Sequence, residues 1–401
     1  MSKSSLALSN LRAVVIVIVL AFHASLAYVK SAPAPQRFDQ PPFTWEAFPI
    51  VDAHRWLGFD IFCAWQDVSL MALMFFLSGL FVGPSLVRKG AATYTIDRLK
   101  RIGVPFVFAF IVLSPLALYP AYAARTPDPS LAGYVTAFFS LPYWPAGPQW
   151  FLWQLMAVNA IAALLYALSR DVVRDFRRLG AWAGEHSVLY YILLSAICVA
   201  GYAPLAVAYS PFTWGEFGPF SLQFCRPLLY IAVFFAGFSL GSLGLDRGLL
   251  ATDGPLARNW RAWTVLAVVT FCIWAGLTGL TFPNWDAAPF AARLGASLAY
   301  APACIAGGMF MLAVFLRFSR AHSRVLDSLS TNAYGIYLVH YVFIVWLQYA
   351  LLPAGLPSVV KAAIVFAGTF VLSWPVSIVV TKILSGSFAL TSKRPIWTPS
   401  R

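Results

Sequence analysis

The sequence predicts an all-α fold, a polytopic transmembrane bundle of about ten helices with both termini in the cytoplasm. Hydrophobic residues make up 60% of the 401-residue chain and charged residues only 11%, whereas a soluble domain carries roughly a quarter charged residues. Apolar runs long enough to cross a hydrocarbon core of about 30 Å recur along the whole length. Because little sequence separates these runs, we expect one integral membrane domain over residues 1–401 and no separate soluble domain.

Ten apolar runs are predicted to span the membrane. The first could be mistaken for a cleaved signal peptide, but its apolar run exceeds the usual ~7–15 residues, so we expect a retained helix. The predicted spans are Leu11–Val29, Gly58–Gly83, Ile102–Ala124, Gln149–Ser169, Ser187–Tyr209, Phe224–Leu243, Ala262–Thr281, Ala291–Phe315, Leu329–Leu351 and Val360–Leu384.

The distribution of lysine and arginine supports an even number of spans. With both termini and the even-numbered connections in the cytoplasm, 21 of the 28 basic residues lie on that side, as the positive-inside rule requires. This bias explains most of the net charge of +13, so no nucleic-acid partner is needed. The five cysteines show no CxxC pair, and we expect no metal site.

A titratable side chain at bilayer depth is costly and is therefore a candidate for function. His23 follows Arg12 by eleven residues in the first predicted helix, which is about 16 Å along the axis. Eleven residues at about 100° each also bring both side chains to one face. We predict that Arg12 grips an anion at the cytoplasmic surface and that His23 does proton chemistry near mid-membrane.

A second histidine, His340, is predicted at a similar depth in the ninth helix, with Tyr337 three residues and Tyr334 six residues before it. A single buried histidine is more often a hydrogen-bonded core residue than a catalyst. Two at matched depth favour a catalytic role for His23, whereas His340 could equally orient a partner or line the pocket. Asp67, in the outer third of the second helix, could pair with a histidine, bind a substrate hydroxyl or mark a solvated helix end.

Basic residues cluster after the second predicted helix, at Arg98, Lys100 and Arg101 among others. Guanidinium groups match the oxygens of phosphate, so this cluster suits a phosphate-rich ligand. Ordinary positive-inside charge explains the cluster equally simply.

Five motifs, in order along nearly the whole chain, resemble the acyltransferase 3 family of membrane acyltransferases. The first is an arginine followed by a histidine after ten intervening residues. The motifs are Leu11-Arg12-Ala13 with Phe22-His23-Ala24, Phe75-Phe76-Leu77-Ser78-Gly79-Leu80, Arg98-Leu99-Lys100-Arg101, Gln149-Trp150-Phe151-Leu152, and the segment from Thr331 to His340.

The resemblance implies an O-acyltransferase of cell-envelope glycans in the bacterial cytoplasmic membrane, including the kind that succinylates periplasmic glucans. An acyl group of the acetyl or succinyl class would pass from acyl-CoA, the co-substrate, to a hydroxyl of an extracytoplasmic sugar. His23 would be the general base or the acyl carrier. Arg12, Arg98, Lys100 and Arg101 would bind the donor, and Asp67, Gln149 and Trp150 would lie on the acceptor side, with no permanently bound cofactor.

Two other functions remain open at this point. A transporter or flippase of a lipid-linked or small-molecule substrate would show more buried charges or broken helices in repeated positions, and the sequence shows neither. A non-catalytic scaffold or sensor would make the spacing of Arg12 and His23 accidental.

Overall fold

The structure is a computed structural model that describes residues 3–282, 284–319 and 321–389, the side chains of 381–389 excepted. Four basic residues that the sequence assigned to the cytoplasmic side, Arg320, Lys393, Arg394 and Arg401, lie outside the described residues. The side chain of Lys382 also lies outside them.

The described chain is mostly helical, with short 3₁₀ turns and one antiparallel hairpin of strands β1 (Trp214–Phe217) and β2 (Phe220–Gln223). Two π-helical segments, Leu99–Gly103 and Ala109–Leu113, interrupt the third span. The α-helices are α1 (Lys3–Ser25), α2 (Leu57–Gly79), α3 (Val82–Lys89), α4 (Ala91–Arg98), α5 (Val104–Phe108), α6 (Ser114–Ala123), α7 (Leu131–Phe139), α8 (Trp150–Leu168), α9 (Val172–Glu185), α10 (Ser187–Tyr209), α11 (Pro227–Leu243), α12 (Pro255–Arg258), α13 (Trp260–Thr281), α14 (Phe290–Phe318), α15 (Arg324–Ala350) and α16 (Ser358–Ala389).

Within the described ranges, nine helical segments are long and apolar enough to cross a membrane, and α11 is a further, shorter apolar helix of 17 residues. The predicted all-α polytopic bundle is therefore confirmed, and the chain is an integral multi-pass membrane protein. Apolar side chains on α13, among them Val265, Val268 and Ile273, are exposed, as expected of a helix face that meets lipid.

The direction of α15 relative to α1 tests how many helices cross the membrane. Along α1 and α15, Ser9 meets Ser330 near one end and His23 meets His340 further along, so the two helices run in the same direction. If α11 did not cross, α15 would be the eighth span and would run antiparallel to α1. The short helix α11 therefore spans the membrane as the sixth of ten.

The first helix begins earlier than the sequence predicted. It starts at Lys3 rather than Leu11, and Leu6, Ala7 and Leu8 are buried. Two additional turns thus pack into the bundle. Arg12 consequently lies about 14 Å inside α1 at 1.5 Å per residue, and the prediction that it stands at the start of the helix is wrong.

Three small elements were absent from the predicted topology. Helix α7 and the hairpin lie in outer connections, and α9 follows α8 on the cytoplasmic side. Helix α9 is amphipathic: Arg174 and Arg178 are exposed, while Phe176 stacks on Phe238 of α11 at 4.8 Å between ring centroids. Such an element is too polar to be found by searching for spans.

Glycines allow α2 and α11 to approach closely. A Cβ on Gly237 would collide with the carbonyl oxygen of Phe76, and one on Gly241 with that of Leu80. Small residues at helix interfaces serve this purpose in membranes. The contact fixes α11 beside the C-terminal part of α2.

The outer connections form a cap that is fixed to the bundle. Lys361, at the start of α16, donates to Asp52 in the Lys30–Trp56 connection at 2.6 Å, and both side chains are fully buried. Trp153 Nε1 of α8 donates to the Ser221 carbonyl of β2 at 2.9 Å. The cap is therefore attached to α8 and α16.

Candidate active site

Two histidines from the parallel helices α1 and α15 lie side by side in the bundle. His340 Nε2 is 3.4 Å from His23 Nδ1, and the ring centroids are 5.0 Å apart. His340 is fully buried and His23 partly so. The matched depth predicted from the sequence is a direct contact in the structure, while the catalytic role of His23 stays a prediction.

Hydrogen bonds indicate which ring nitrogens carry protons. His23 Nδ1 is 3.0 Å from the Val19 carbonyl oxygen, and His340 Nδ1 is 2.6 Å from that of Tyr337. A carbonyl oxygen only accepts, so in the neutral rings both Nδ1 atoms are protonated and donate. His340 Nε2 then points its lone pair at the His23 N–H. His23 Nε2 keeps a lone pair that no described residue engages, and it is available as a base.

Side chains of α15 hold the end of α1 at His23. Gln348 Nε2 donates to the carbonyl oxygens of His23 at 2.9 Å and Ala24 at 3.3 Å. The Tyr341 ring meets the His23 ring edge-on at 5.6 Å. Neither Gln348 nor Tyr341 was singled out from the sequence. The available signal was that both are polar side chains in an apolar helix.

The start of α8 is tied to the same helix. Tyr337 donates its hydroxyl proton to the Pro148 carbonyl oxygen, and Gln149 Nε2 lies 3.4 Å from the Leu338 carbonyl oxygen. Gln149 Oε1 is buried without a hydrogen-bond partner in the described residues. Gln149 and Tyr337 thus lie beside the histidines, with one amide oxygen left unused.

Trp150 and Tyr334 lie further from the histidine pair than Gln149 and Tyr337 do. Trp150 stacks on Tyr230 of α11 at 6.0 Å and meets Trp214 of β1 edge-on at 5.6 Å. Tyr334 is 36% exposed and makes no hydrogen bond or ring contact with a histidine in the described chain. Trp150 connects the bundle to the hairpin, and Tyr334 belongs to an exposed face of α15.

Arg12 shares the α15-facing side of α1 with His23. Its Nη2 donates to the Ser330 carbonyl oxygen at 3.3 Å, and Ser9 bonds to the Ser330 hydroxyl at 2.8 Å. The side chain is half-buried. The predicted common face of Arg12 and His23 is therefore present, with Arg12 deeper in the protein than expected.

Arg98, Lys100 and Arg101 lie where α4 passes into the first π-helical segment. Arg98 and Arg101, three residues apart, are half-buried on one face, whereas Lys100 is exposed. The Arg98 guanidinium lies over the Tyr94 ring at 4.9 Å. A small cleft against Asn159 of α8 adjoins it. Two guanidinium groups thus line the same inner stretch of the third span.

Asp67 pairs with an arginine rather than with a histidine. Arg226, just before α11, donates Nη1 to Asp67 Oδ1 at 2.8 Å and Nη2 to Oδ2. The charge pattern of the sequence identifies Arg226 only as an outer basic residue. The partner could not be recognised from spacing, because 159 residues separate the two.

Two carboxyl groups of the cap face each other above Tyr341. Tyr341 donates to the Glu46 carbonyl oxygen at 3.5 Å, and the Glu46 side chain faces Glu216 of β1 and Tyr143. Burial raises the pKa of Glu46 to about 7. Burial, with repulsion from Glu46, raises the pKa of Glu216 to about 8. Near neutral pH the pair therefore holds protons that exposed carboxylates would have lost.

Among the described residues, no three His, Cys, Asp or Glu side chains come together as metal ligands would. The site is suited to acid–base chemistry at His23 Nε2, which lies beside hydrogen-bond donors and acceptors of α8 and α15.

Comparison with known proteins gives one match. A family model described as an acyltransferase domain, that of the acyltransferase 3 family, matches residues 5–378. No curated protein and no solved structure matches the chain.

Proposed function

The chain belongs to the acyltransferase 3 family, and from this premise we propose that it moves an acetyl- or succinyl-class acyl group from cytoplasmic acyl-CoA to a hydroxyl of an extracytoplasmic glycan or glycolipid. It is a membrane acyltransferase. The O-acyl chemistry, the donor, the acceptor and the bacterial inner membrane are parts of the proposal.

The unengaged Nε2 of His23 carries the proposal. In the proposed step, Nε2 takes the proton of the acceptor hydroxyl while that oxygen attacks the thioester carbonyl carbon. The C–S bond then breaks, and the CoA thiolate takes the proton from the imidazolium. The Val19 carbonyl and His340 Nε2 both accept from Nδ1–H, so they would stabilise the imidazolium. In the alternative route, Nε2 attacks the thioester carbonyl carbon and the C–S bond breaks to release the CoA thiolate. The acceptor oxygen then takes the acyl group from Nε2, and the hydroxyl proton passes to the thiolate.

The donor would enter from the cytoplasmic side. Arg98 and Arg101 share a half-buried face, and guanidinium forks suit the phosphates of CoA, with Lys100 adding charge at the surface. Arg12 lies eleven residues from His23 on the same face, about 16 Å away along the axis. A pantetheine arm would bridge that depth and bring the thioester to His23.

The acceptor would come from the outer side. Gln149, with its unused amide oxygen, lies beside the histidine pair, and Trp150 follows it at the start of α8. Asp67 lies near the middle of α2, in the outer half of the second span, Leu57–Lys89. These groups can accept hydrogen bonds from hydroxyls or pack against a sugar ring.

Replacement of His23 tests the catalytic role. We expect His23→Ala to reduce acylation of the envelope glycan by about 100-fold or more, the usual loss for a general base, in a strain that needs this protein for the modification. His340→Ala should lower kcat with little change in KM, because it positions His23. His186→Ala, an exposed histidine before α10, is the matched control. Normal modification by His23→Ala would contradict the proposal.

Donor binding is tested separately. We expect acyl-CoA to bind more weakly to purified Arg98→Ala/Arg101→Ala protein than to wild type. Arg174→Ala/Arg178→Ala removes two exposed arginines from α9 and serves as the control for charge alone. Equal affinity in wild type and the Arg98/Arg101 variant would exclude these residues from donor binding.

A further inference from the structure

A second cavity opens among the outer ends of the helices. Its volume is about 240 Å³, close to the lower end of the range of about 300–1,000 Å³ typical of small-molecule sites. Its walls come from α1, α2, α10, α13 and α14, and Ser31, Phe48 and Pro211 of the outer connections line its rim. A ligand would therefore reach it from the outer side.

One wall of this outer cavity is an ion pair with an open face. Arg226 is only 5% exposed, whereas the Asp67 side chain is 41% exposed although it lies mid-helix. Both carboxylate oxygens accept from the guanidinium. Tyr300 donates to the Asp67 backbone carbonyl at 3.3 Å, and the Arg226 guanidinium lies 5.2 Å from the Tyr300 ring centroid. The carboxylate is thus held in one orientation, with lone pairs left for hydroxyl donors.

The remaining walls are largely aromatic. Trp274 of α13 meets Tyr300 edge-on at 5.9 Å, and Tyr202 stacks on Tyr300 at 4.2 Å. Trp285 and Phe212 flank the mouth, 6.3 Å apart. Aromatic faces carry partial negative charge and attract the weakly positive C–H bonds of a pyranose ring. A few fixed polar groups among aromatic walls are the composition expected of a specific small-molecule site.

The charged side chains that line the outer cavity limit the kind of ligand that it can bind. The ionisable lining residues are Asp60, Asp67 and Arg226, apart from Cys63 and the two tyrosines. Asp60 already accepts from the backbone N–H groups of Lys30 and Ser31 at 2.7 and 2.8 Å. With two carboxylates against one guanidinium, the cavity disfavours an anionic ligand.

The cavity adjoins the histidine pair. Phe22 lines the cavity and meets the His23 ring edge-on at 4.9 Å. A ligand here would be separated from His23 by one aromatic ring.

We propose that the outer cavity binds one neutral sugar unit of the acceptor, with Asp67 accepting hydrogen bonds from its hydroxyls and Trp274 packing against its ring. The inference rests on the proposed function, which requires a hydroxyl-bearing acceptor to reach His23 from outside. Arg226 and Tyr300 are positioning residues that fix Asp67.

Binding without an acyl donor tests the cavity independently of catalysis. Calorimetry on the full chain in lipid nanodiscs would use the neutral disaccharides maltose, cellobiose and sophorose, with anionic digalacturonate as the charged comparator. We expect a neutral disaccharide to bind more tightly than digalacturonate. Asp67→Asn and Trp274→Leu should each weaken that binding roughly tenfold, the loss expected for one charge-assisted hydrogen bond or one packed ring.

Matched variants keep the result interpretable. Trp182→Leu on cytoplasmic α9 should bind like wild type. Since Asp67→Asn leaves a buried guanidinium unpaired, Trp274→Leu provides the second measurement without altering charge. Wild-type affinity in a folded Trp274→Leu protein, no binding of any neutral probe, or tighter binding of digalacturonate would overturn the proposal. Sugar binding without acyl transfer in wild type would refute the proposed function and leave the cavity assignment standing.

Discussion

The chemistry of His23 depends on which of its ring nitrogens carries the proton. The spacing of Arg12 and His23, and the depth of His340, could be derived from helical geometry alone. The tautomer could not, because it follows from the Val19 carbonyl and His340 Nε2 meeting the same N–H. That arrangement requires α1 and α15 to be packed in parallel at one register. Local spacing in the sequence therefore identifies His23 and His340 as candidates. Helix packing determines which ring nitrogen of each histidine donates and which accepts.

The carboxyl pair of the cap makes stability depend on pH. Because the folded pKa values of Glu46 and Glu216 are about 7 and about 8, above those of exposed carboxyls, the folded state holds more protons than the unfolded state between about pH 4.5 and pH 8. Stability contributed by the pair is therefore present at low pH and lost as pH rises through this window. We expect the apparent Tm of the wild type in detergent to fall over that interval.

Glu216→Gln should reduce this loss. The amide keeps a hydrogen-bonding group and removes both the buried charge and its repulsion of Glu46, so we expect a higher Tm than wild type at pH 9 and nearly the same Tm at pH 5. Glu185→Gln, at the exposed end of α9, makes the same chemical change away from the pair. An equal Tm gain in both variants would show that net charge, rather than the buried pair, is responsible.

At the scale of elements, the contact between α2 and α11 depends on missing side chains. Gly79 approaches the Phe234 carbonyl, while Gly237 and Gly241 approach α2 carbonyls. In a bilayer, close backbone packing stabilises helix pairs where the hydrophobic effect contributes little. The sequence displayed these glycines but not which helix each one faces, since that depends on the register between distant segments.

We expect Gly237→Ala to destabilise the protein by about 1–3 kcal/mol, the usual cost of overpacking. Its Cβ would collide with backbone that cannot rotate away. Gly276→Ala on α13 is the matched control, because a Cβ there meets nothing within 4 Å, and alanine favours the helix. Apparent Tm values measured in detergent at one heating rate would decide. A Gly237→Ala protein as stable as Gly276→Ala would contradict the close approach of α11 to α2.

The partners in the buried charge pairs could not be predicted from the sequence. The charge pattern places Lys361 and Arg226 among the outer basic residues, consistent with their positions near helix ends. In the structure Lys361 is buried against Asp52, 309 residues away, and Arg226 against Asp67, 159 residues away. The pattern assigns both basic residues to the outer side of the membrane. It carries no information about partners, which the packing of α16 on the cap and of α11 on α2 decides.

For the molecule as a whole, composition and hydropathy were sufficient for fold class and for the approximate position of each span. They were insufficient for the cap, because its hairpin and 3₁₀ turns are short and are held by contacts with α8, α15 and α16. The outer cavity likewise required five packed helices. Fold class follows from local hydrophobicity, whereas the site follows from long-range packing.

The number of crossings gives the final prediction, because α11 is the shortest span and the parallel pairing of α1 with α15 requires it to cross. Single cysteines introduced in the full chain would be labelled with a membrane-impermeant maleimide. In intact cells, Phe217→Cys and Asp286→Cys should react, whereas Asp171→Cys and Asp253→Cys should react only after permeabilisation. Wild type reports the background from Cys272, the exposed native cysteine among the described residues. If Asp253→Cys reacted in intact cells together with Phe217→Cys, α11 would not cross the membrane. The ten-span topology, in which α1 and α15 are parallel and His23 and His340 lie at a common depth, would then be wrong.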